Sequence, residues 1–414
     1  MKIAVISDLH IGEGSRAAEF CLEQSSGWAT LDYIKHFKEF ILRENLSADI
    51  LLIAGDISNR AKEEEYNLAS NKIKEIASIL SVPDCNVFYV PGNHDACWIS
   101  EQKHLVDKEQ DTIDFAIKKK YDPINNGLIF KEINQRVKDG CLYKPPYAAI
   151  WESENVIALG VNTAAFDHHD TFPHHGKIRF EDLSEIKLLL SRNEVSSSNK
   201  TKIILMHHHP LQYTDSTFNL PDLSALINAE GLINIAGEYE FNYIVHGHKH
   251  IPRVTMRDVL NHPLTILCAG SFSAKLDDRY FQGIGNSFHL IEEKEKCNQL
   301  NTGKGIVKSW AYLSGHKWIP SEESREGISY LEYYGCALHR RQIMEIIECI
   351  LKEAQYKSIK SGEVFSKHPE LFYCSRKVLY PAIKDTTEKL GLEFLIPSKG
   401  TGSEEFYILE GQYK

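Results

Sequence analysis

The 414-residue sequence predicts an α/β sandwich followed by a small C-terminal α+β domain. Three observations carry this reading. Short apolar, β-branched runs alternate with longer helical patterns through about the first 290 residues. Most of the polar clusters stand directly after such a run, at the end of a strand where open α/β sheets place their ligands. Near Pro320 the pattern gives way to a polar stretch, and a new helical pattern begins beyond it. A chain of this length exceeds what one hydrophobic core usually supports, so two domains are expected, residues 1–319 and 320–414.

Strands are expected at Lys2–Ser7, Ile50–Ala54, Asn86–Val90, Val156–Val161, Lys202–Met206, Tyr243–Val245, Leu264–Ala269 and Ser287–Ile291. Helices between them include Leu31–Glu44, with Ile34, Phe37, Ile41 and Leu42 on one face, and Glu65–Leu80, with Leu68, Ile73, Ile76 and Leu80 on one face. Residues 96–151 are long, polar and lysine-rich, and read as an insertion capping the ends of the strands. After the polar linker at 320–325, Ile343, Ile346, Ile347, Ile350, Leu351 and Ala354 form a helical stripe. A second helical stretch, Ser375–Leu390, contains Pro381 and therefore kinks there or starts at Tyr380. Gly391 stops it, and residues 392–397 and 406–409 read as a hairpin. Two helices and a hairpin are winged-helix-like.

Composition narrows the class. Hydrophobic residues make up 43% and charged residues 25%, ordinary for a soluble globular chain, and no apolar run reaches the roughly 18 to 20 residues of a membrane span. The apolar start before Asp8 is too short for a secretory segment, so a cytoplasmic location is expected. Nine scattered cysteines, odd in number and never spaced C-x-x-C, read as reduced and mostly buried thiols. A net charge of −10 argues against polyanion binding over the whole surface.

Five blocks carry the chemistry. Asp8-Leu-His10 sets a carboxylate and an imidazole two apart at a strand end, where alternate side chains project to one side. Gly55-Asp56 follows a buried strand, and a carboxylate with two oxygens can bridge two cations. Gly92-Asn-His-Asp95 offers the carbonyl oxygen of Asn93, a proton donor in His94, and Asp95 to orient that imidazole. His207-His-His-Pro210 and Gly247-His-Lys-His250 follow two further strands. Singly, each block has a bland reading as a turn or a histidine-rich loop; five in order do not. Together they offer three carboxylate or amide oxygens and four imidazoles without a thiolate, a mixed set suited to Mn, Fe, Zn, Co or Ni rather than to calcium. Two ions are expected, manganese first among them.

The series D-x-H, G-D, G-N-H-D, H and G-H-x-H resembles the calcineurin-like metallophosphoesterase superfamily over roughly residues 1 to 295. The resemblance implies a four-layer α/β/β/α sandwich, with Asp8, His10, Asp56 and His250 on the first metal and Asp56, Asn93, His208 and His248 on the second. His94 would be the catalytic proton donor. Among the three consecutive histidines the family's spacing to proline selects His208, with His207 as the alternative. Asn59 stands where purple acid phosphatases carry a tyrosine ligand, and Gly55-Asp-Ile-Ser-Asn-Arg-Ala61 keeps only Arg60 of the protein phosphatase motif. The Glu65-Tyr66 pair and Cys268-Ala-Gly-Ser-Phe-Ser273 look more like the branch of class III cyclic nucleotide phosphodiesterases.

The expected reaction is attack of a metal-activated hydroxide on phosphorus, with His94 protonating the leaving alkoxide. Lowering the pKa of water from 15.7 toward about 7 is on the order of 10 kcal/mol, against about 3 to 5 kcal/mol from a positioned acid. Losing a bridging ligand should therefore hurt more than losing the acid. The expected substrate is a phosphodiester of a nucleotide or nucleic acid. A phosphomonoesterase, or a metal-fold scaffold without turnover, is the competing reading. His168, His169, His174 and His175 read as loop histidines, and Lys118-Lys-Lys120 as a solvated helix face. In the C-terminal domain Arg376, Lys377, Lys384, Lys389 and Lys399 are candidate phosphate contacts, set against a protein-contact role. Residues 321–414 hold 13 basic and 15 acidic residues, 13 − 15 = −2.

Overall fold

The computed structural model describes residues 1–23, 29–97, 110–167, 175–213, 224–277, 281, 283–297, 302–313, 317–355, 357–397 and 405–410. The chain divides into two compact units: residues 1–292, 298–302 and 308–330 form the first, and residues 293–297, 303–307 and 331–414 the second. The main break falls at 330/331, eleven residues past the boundary read from the sequence, 330 − 319 = 11. The stretch taken for a linker instead belongs to the first unit, with a helical turn α8 (Glu323–Glu326) whose Glu326 is buried.

Two mixed sheets organise the first unit. One runs in the order β13 (Lys317–Pro320), β12 (Thr302–Leu313), β11 (Asn286–Cys297), β1 (Lys2–Ile6), β2 (Ile50–Ala54), β3 (Val87–Val90). Within it β1, β2 and β3 are parallel, Ile3 lying opposite Ile50 and Leu51 opposite Val87, while β11 runs antiparallel to β1. The other runs β4 (Asp139–Cys141), β5 (Ala148–Glu152), β6 (Val156–Val161), β7 (Thr201–Leu205), β8 (Tyr243–His246), β10 (His262–Cys268), β9 (Arg253–Val259). There β6, β7, β8 and β10 are parallel. Buried on both faces, the parallel strands read as continuous apolar runs, which is why the sequence locates them well. The shared orientation brings the carboxyl ends of β1, β2, β3, β7 and β8 to one side.

Helices cover the outer faces. Helix α1 (Tyr33–Arg43) packs Tyr33, Phe37 and Phe40 on Phe288, Trp310 and Trp318 of the first sheet. Leu42, expected on that face, is 69% exposed, and Phe40 takes its place. Helix α2 (Glu63–Ile79) buries Tyr66, Ala69, Ile73 and Ile76. On the second sheet α6 (Phe180–Arg192) and α7 (Ala229–Glu238) share one apolar cluster with Leu159, Ile204, Ile244 and Ile266. The described part of the 96–151 segment is built of regular elements. It forms α3 (Gln110–Lys120), α4 (Asp122–Asn126) and α5 (Leu128–Gln135), with Phe130 packed against Tyr66 and Tyr89, and then the edge strands β4 and β5. Lys120, read as a solvated position, is buried, with Nζ donating to the carbonyls of Ala164 and Asp167.

The second unit carries β14 (Leu331–Tyr334), α9 (Arg340–Glu353), β15 (Ile359–Lys360), α10 (Ser361–Lys367), α11 (Arg376–Lys389), β16 (Glu393–Leu395) and β17 (Tyr407–Leu409). Its three-stranded antiparallel sheet has the order β15-β17-β16. The two expected helices and the hairpin strands are α9, α11, β16 and β17; α10 and β15 add to them. Helix α11 runs through Pro381 rather than starting there. Of the cysteines, Cys268 and Cys374 are buried, whereas Cys85 and Cys349 are exposed, so burial is less general than composition suggested. No described helix is long and apolar enough to cross a membrane.

Candidate metal centre

Five of the expected ligands leave their strands with left-handed backbone: Asp8 (φ 51°), His10 (φ 48°), Asp56 (φ 51°), His248 (φ 72°) and His250 (φ 56°). Such values are uncommon for non-glycine residues and persist only where the surroundings impose them. Here the turns are tied down. The Asp8 N–H donates to the Gly55 carbonyl and the His10 N–H to the Asp56 carbonyl, both at 3.0 Å. The hydroxyls of Ser271 and Ser273 donate to the carbonyls of Asp8 (2.8 Å) and Leu9 (2.7 Å). In the sequence these serines stand out only as part of the Cys268–Ser273 stretch. Their job is to hold the first turn.

The side chains converge in overlapping groups. Ligand atoms of Asp8, His10 and His250 lie within 4.8 Å of one another, as do those of His10, Asp56 and His94, and those of Asp56, His207 and His248. Asp56 joins the two sides: its Oδ2 stands 3.6 Å from His10 Nε2 and 3.3 Å from His207 Nε2. Asn93 Oδ1 lies 3.1 Å from both His207 Nε2 and His248 Nδ1. His250 Nδ1 is 3.7 Å from Asp8 Oδ1.

Of the two histidines that the sequence leaves open, His207, the alternative to the choice by spacing to proline, is the one whose ligand atoms group with Asp56 and His248. The reason is local. His207 Nδ1 donates to the Ala54 carbonyl at 2.8 Å, so its ring lies across the end of β2 with Nε2 aimed at Asp56 and Asn93. That position requires Gly55, which has φ 89° and where a Cβ would sit 2.4 Å from His207 Nδ1. His208 Nδ1 lies 2.9 Å from Thr163 Oγ1, and its ring stands 4.6 Å from that of His248. Gly92 likewise makes room, since a Cβ there would fall 2.2 Å from Asp56 Oδ1.

Asp95 also differs from expectation. It does not touch the His94 imidazole; it accepts from the N–H groups of Ile57, Ser58 and Gly92 and from the Ser58 and Tyr66 hydroxyls, so it braces the Asp56 turn. Burial pushes its carboxyl up to about 6, with the nearby Asp56 adding to the effect. His94 is oriented instead by Asn59, whose carbonyl lies 3.0 Å from His94 Nδ1, while the His94 N–H donates to Asp56 Oδ1 at 2.9 Å.

The electrostatics suit cations. Burial holds the imidazoles of His10 and His248 well below the ordinary histidine range, and lowers His250 too, so these rings are neutral and able to ligate. Burial alone would raise Asp56, but His207, His94 and His10 around it hold it well below the usual carboxylate range. His207 is the converse: burial works against its charge, yet Asp56 raises it to about 9. Asp56 and His207 form a buried pair. His10 Nε2 and His250 Nδ1 are buried and make no hydrogen bond, as expected of donor atoms that a metal completes.

Among the remaining candidates, His175 is half-buried, while His168, His169 and His174 lie outside the described residues. In the second unit, Lys377, Lys384 and Lys389 pair with Glu332 (3.4 Å), Glu388 (3.8 Å) and Glu348 (3.4 Å). Arg376 lies 3.8 Å over the Tyr333 ring; Lys399 is outside the described residues.

Residues 1–252 match the family model described as calcineurin-like phosphoesterase. A probable cyclic nucleotide phosphodiesterase of Coxiella burnetii is 26% identical over 251 residues, 60% of this chain and 76% of that protein. Among solved structures, a purple acid phosphatase from yellow lupin seeds aligns with TM-score 0.44 and 11% identity over 75% of this chain and 51% of its own, so the chain spans about half that enzyme's length. The phosphopantetheinyl hydrolase of Mycobacterium tuberculosis aligns with TM-score 0.32 and 14% identity, over 65% of this chain and 89% of its own.

Proposed function

The chain belongs to the calcineurin-like phosphoesterase family, and from that premise we propose that it is a dinuclear-metal phosphodiesterase acting on a nucleotide or nucleic-acid ester. The observation that carries the reading is Asp56 Oδ2, poised between His10 and His207 and so able to serve two ions at once. Asp8, His10, Asp56 and His250 would hold the first ion, and Asp56, Asn93, His207 and His248 the second. Manganese suits this neutral-imidazole and oxygen set. Bound there, two divalent ions would supply charge neutralisation for a phosphoryl group and a lowered pKa for water.

The chain's own part is orientation and proton delivery. In its imidazolium form His94 donates Nδ1–H to the Asn59 carbonyl, which fixes the ring and leaves Nε2–H for the departing oxygen. Its ring lies 4.5 Å from that of His10, beside the first group of ligands, so the proton is delivered at the edge of the centre. The diester preference is supported by the likeness to the Coxiella protein.

Turnover of bis-p-nitrophenyl phosphate with added Mn²⁺ tests the assignment. Asp56→Ala is expected to fall to background, and His94→Gln to lose about two to four decades in rate. His207→Ala should lose more bound metal than His208→Ala in elemental analysis of the purified chain. Full activity in Asp56→Ala would end the hydrolase reading, and faster turnover of p-nitrophenyl phosphate than of the diester would replace it with a monoesterase.

A further inference from the structure

His248 reaches the second group of ligands from a left-handed position, and its ring belongs to a column of planar side chains. His209 stacks on it with centroids 5.9 Å apart and planes 15° from parallel. Tyr213 stacks on His209 at 5.6 Å and 28°, and the guanidinium of Arg253 lies 4.7 Å over the Tyr213 ring. The column is also anchored sideways. The Tyr213 hydroxyl lies 3.0 Å from Nε2 of the buried His246, whose Nδ1 is 3.1 Å from the Gly247 carbonyl. With Nδ1–H donating to that carbonyl, Nε2 is left to accept from the tyrosine.

Among the described residues, His209 belongs to none of the three groups of ligand atoms, so the stack touches the centre through the His248 ring. What it controls is the plane of the His248 ring. An imidazole ligand free to turn about its χ2 angle must be frozen when an ion binds, and groups that orient it beforehand remove that cost. Offset parallel rings and a cation over an aromatic face are both favourable arrangements.

We propose that Tyr213 and His209 are positioning residues for the second metal subsite, their stacked rings fixing the plane of the His248 imidazole. This rests on the dinuclear reading given above. The first subsite, built on Asp8, His10 and His250, lies outside the column and should not depend on it.

Calorimetric titration of the metal-free full chain with Mn²⁺ separates the possibilities. The unmodified chain is expected to bind two ions. Tyr213→Leu should weaken one site by about 10- to 100-fold and leave the other unchanged within about twofold. Tyr213→Phe, which keeps the ring and loses only the hydroxyl, should weaken that site by less than Tyr213→Leu does. His209→Leu should repeat the one-site loss, and decides the matter if Tyr213→Leu fails to fold. Unchanged affinity in both leucine variants, an equal loss at both sites, or a loss in Tyr213→Phe as large as in Tyr213→Leu would overturn the positioning role while leaving the metal centre intact. An unmodified chain that binds fewer than two ions would overturn the dinuclear reading and this inference with it.

Discussion

Histidine in this protein does three different jobs, and each is set by what surrounds the ring. The candidate ligand histidines are buried beside carboxylates; His94 is held by a backbone carbonyl; His289 is structural. Buried on β11, His289 stands with Nδ1 2.8 Å from Ser309 Oγ, while Nε2 accepts from the Gly270 N–H at 3.3 Å. Burial lowers it from 6.5 to about 3. The folded form therefore refuses a proton that the unfolded chain takes up below about pH 6.5. Its contribution is fully present above that pH and is lost as pH falls toward 3, at about 1.4 kcal/mol per unit. Denaturant melts between pH 7 and 4 should show His289→Gln losing stability more shallowly than the unmodified chain. Equal slopes would remove the assignment.

The candidate ligands were legible in sequence because each follows a strand whose apolar run is unmistakable. The choice between His207 and His208 was not. It depends on where β7 ends and which ring meets Gly55, a tertiary fact that counting residues to Pro210 does not contain. Asp95 was misread for the same reason, since its partners lie 37 and 38 residues away at Ser58 and Ile57.

At the scale of elements, parallel strands buried on both faces announced themselves, while half-exposed ones did not. Strand β9, with four of its seven residues partly exposed, two fully exposed and only Val259 buried, was not expected, nor were the short edge strand β4 or the far strands β12 and β13. The 96–151 segment read only as a polar, lysine-rich insertion. Its apolar positions are sparse but placed to matter, above all Phe130 on α5. That ring packs 5.8 Å from Tyr66, whose hydroxyl donates to Asp95, which in turn receives the backbone of the Asp56 turn. Phe130→Ala should cost about 3 to 5 kcal/mol by leaving a cavity, read from denaturant melts of the full chain. It should also lower turnover of the diester. A loss of less than about 1 kcal/mol would mean that α5 does not brace the site.

At the scale of the molecule, one feature bears on how its parts can be taken apart. The second unit is not a continuous stretch of chain, because residues 293–297 and 303–307, the outer lengths of β11 and β12, are grouped with it. Ile306 and Val307 in that hairpin are buried, and at Gly335, with φ 96°, a Cβ would fall 2.5 Å from the Gly303 carbonyl. A fragment beginning at Leu331 therefore lacks a piece of its own packing. Expressed alone, it should exchange the amide hydrogens of α9 faster than the full chain does, and equal protection would show the hairpin to be dispensable. For engineering or for evolution by gene fusion, the tail is thus no cassette that a single crossover could deliver, because acquiring it whole means inheriting part of the phosphoesterase sheet as well.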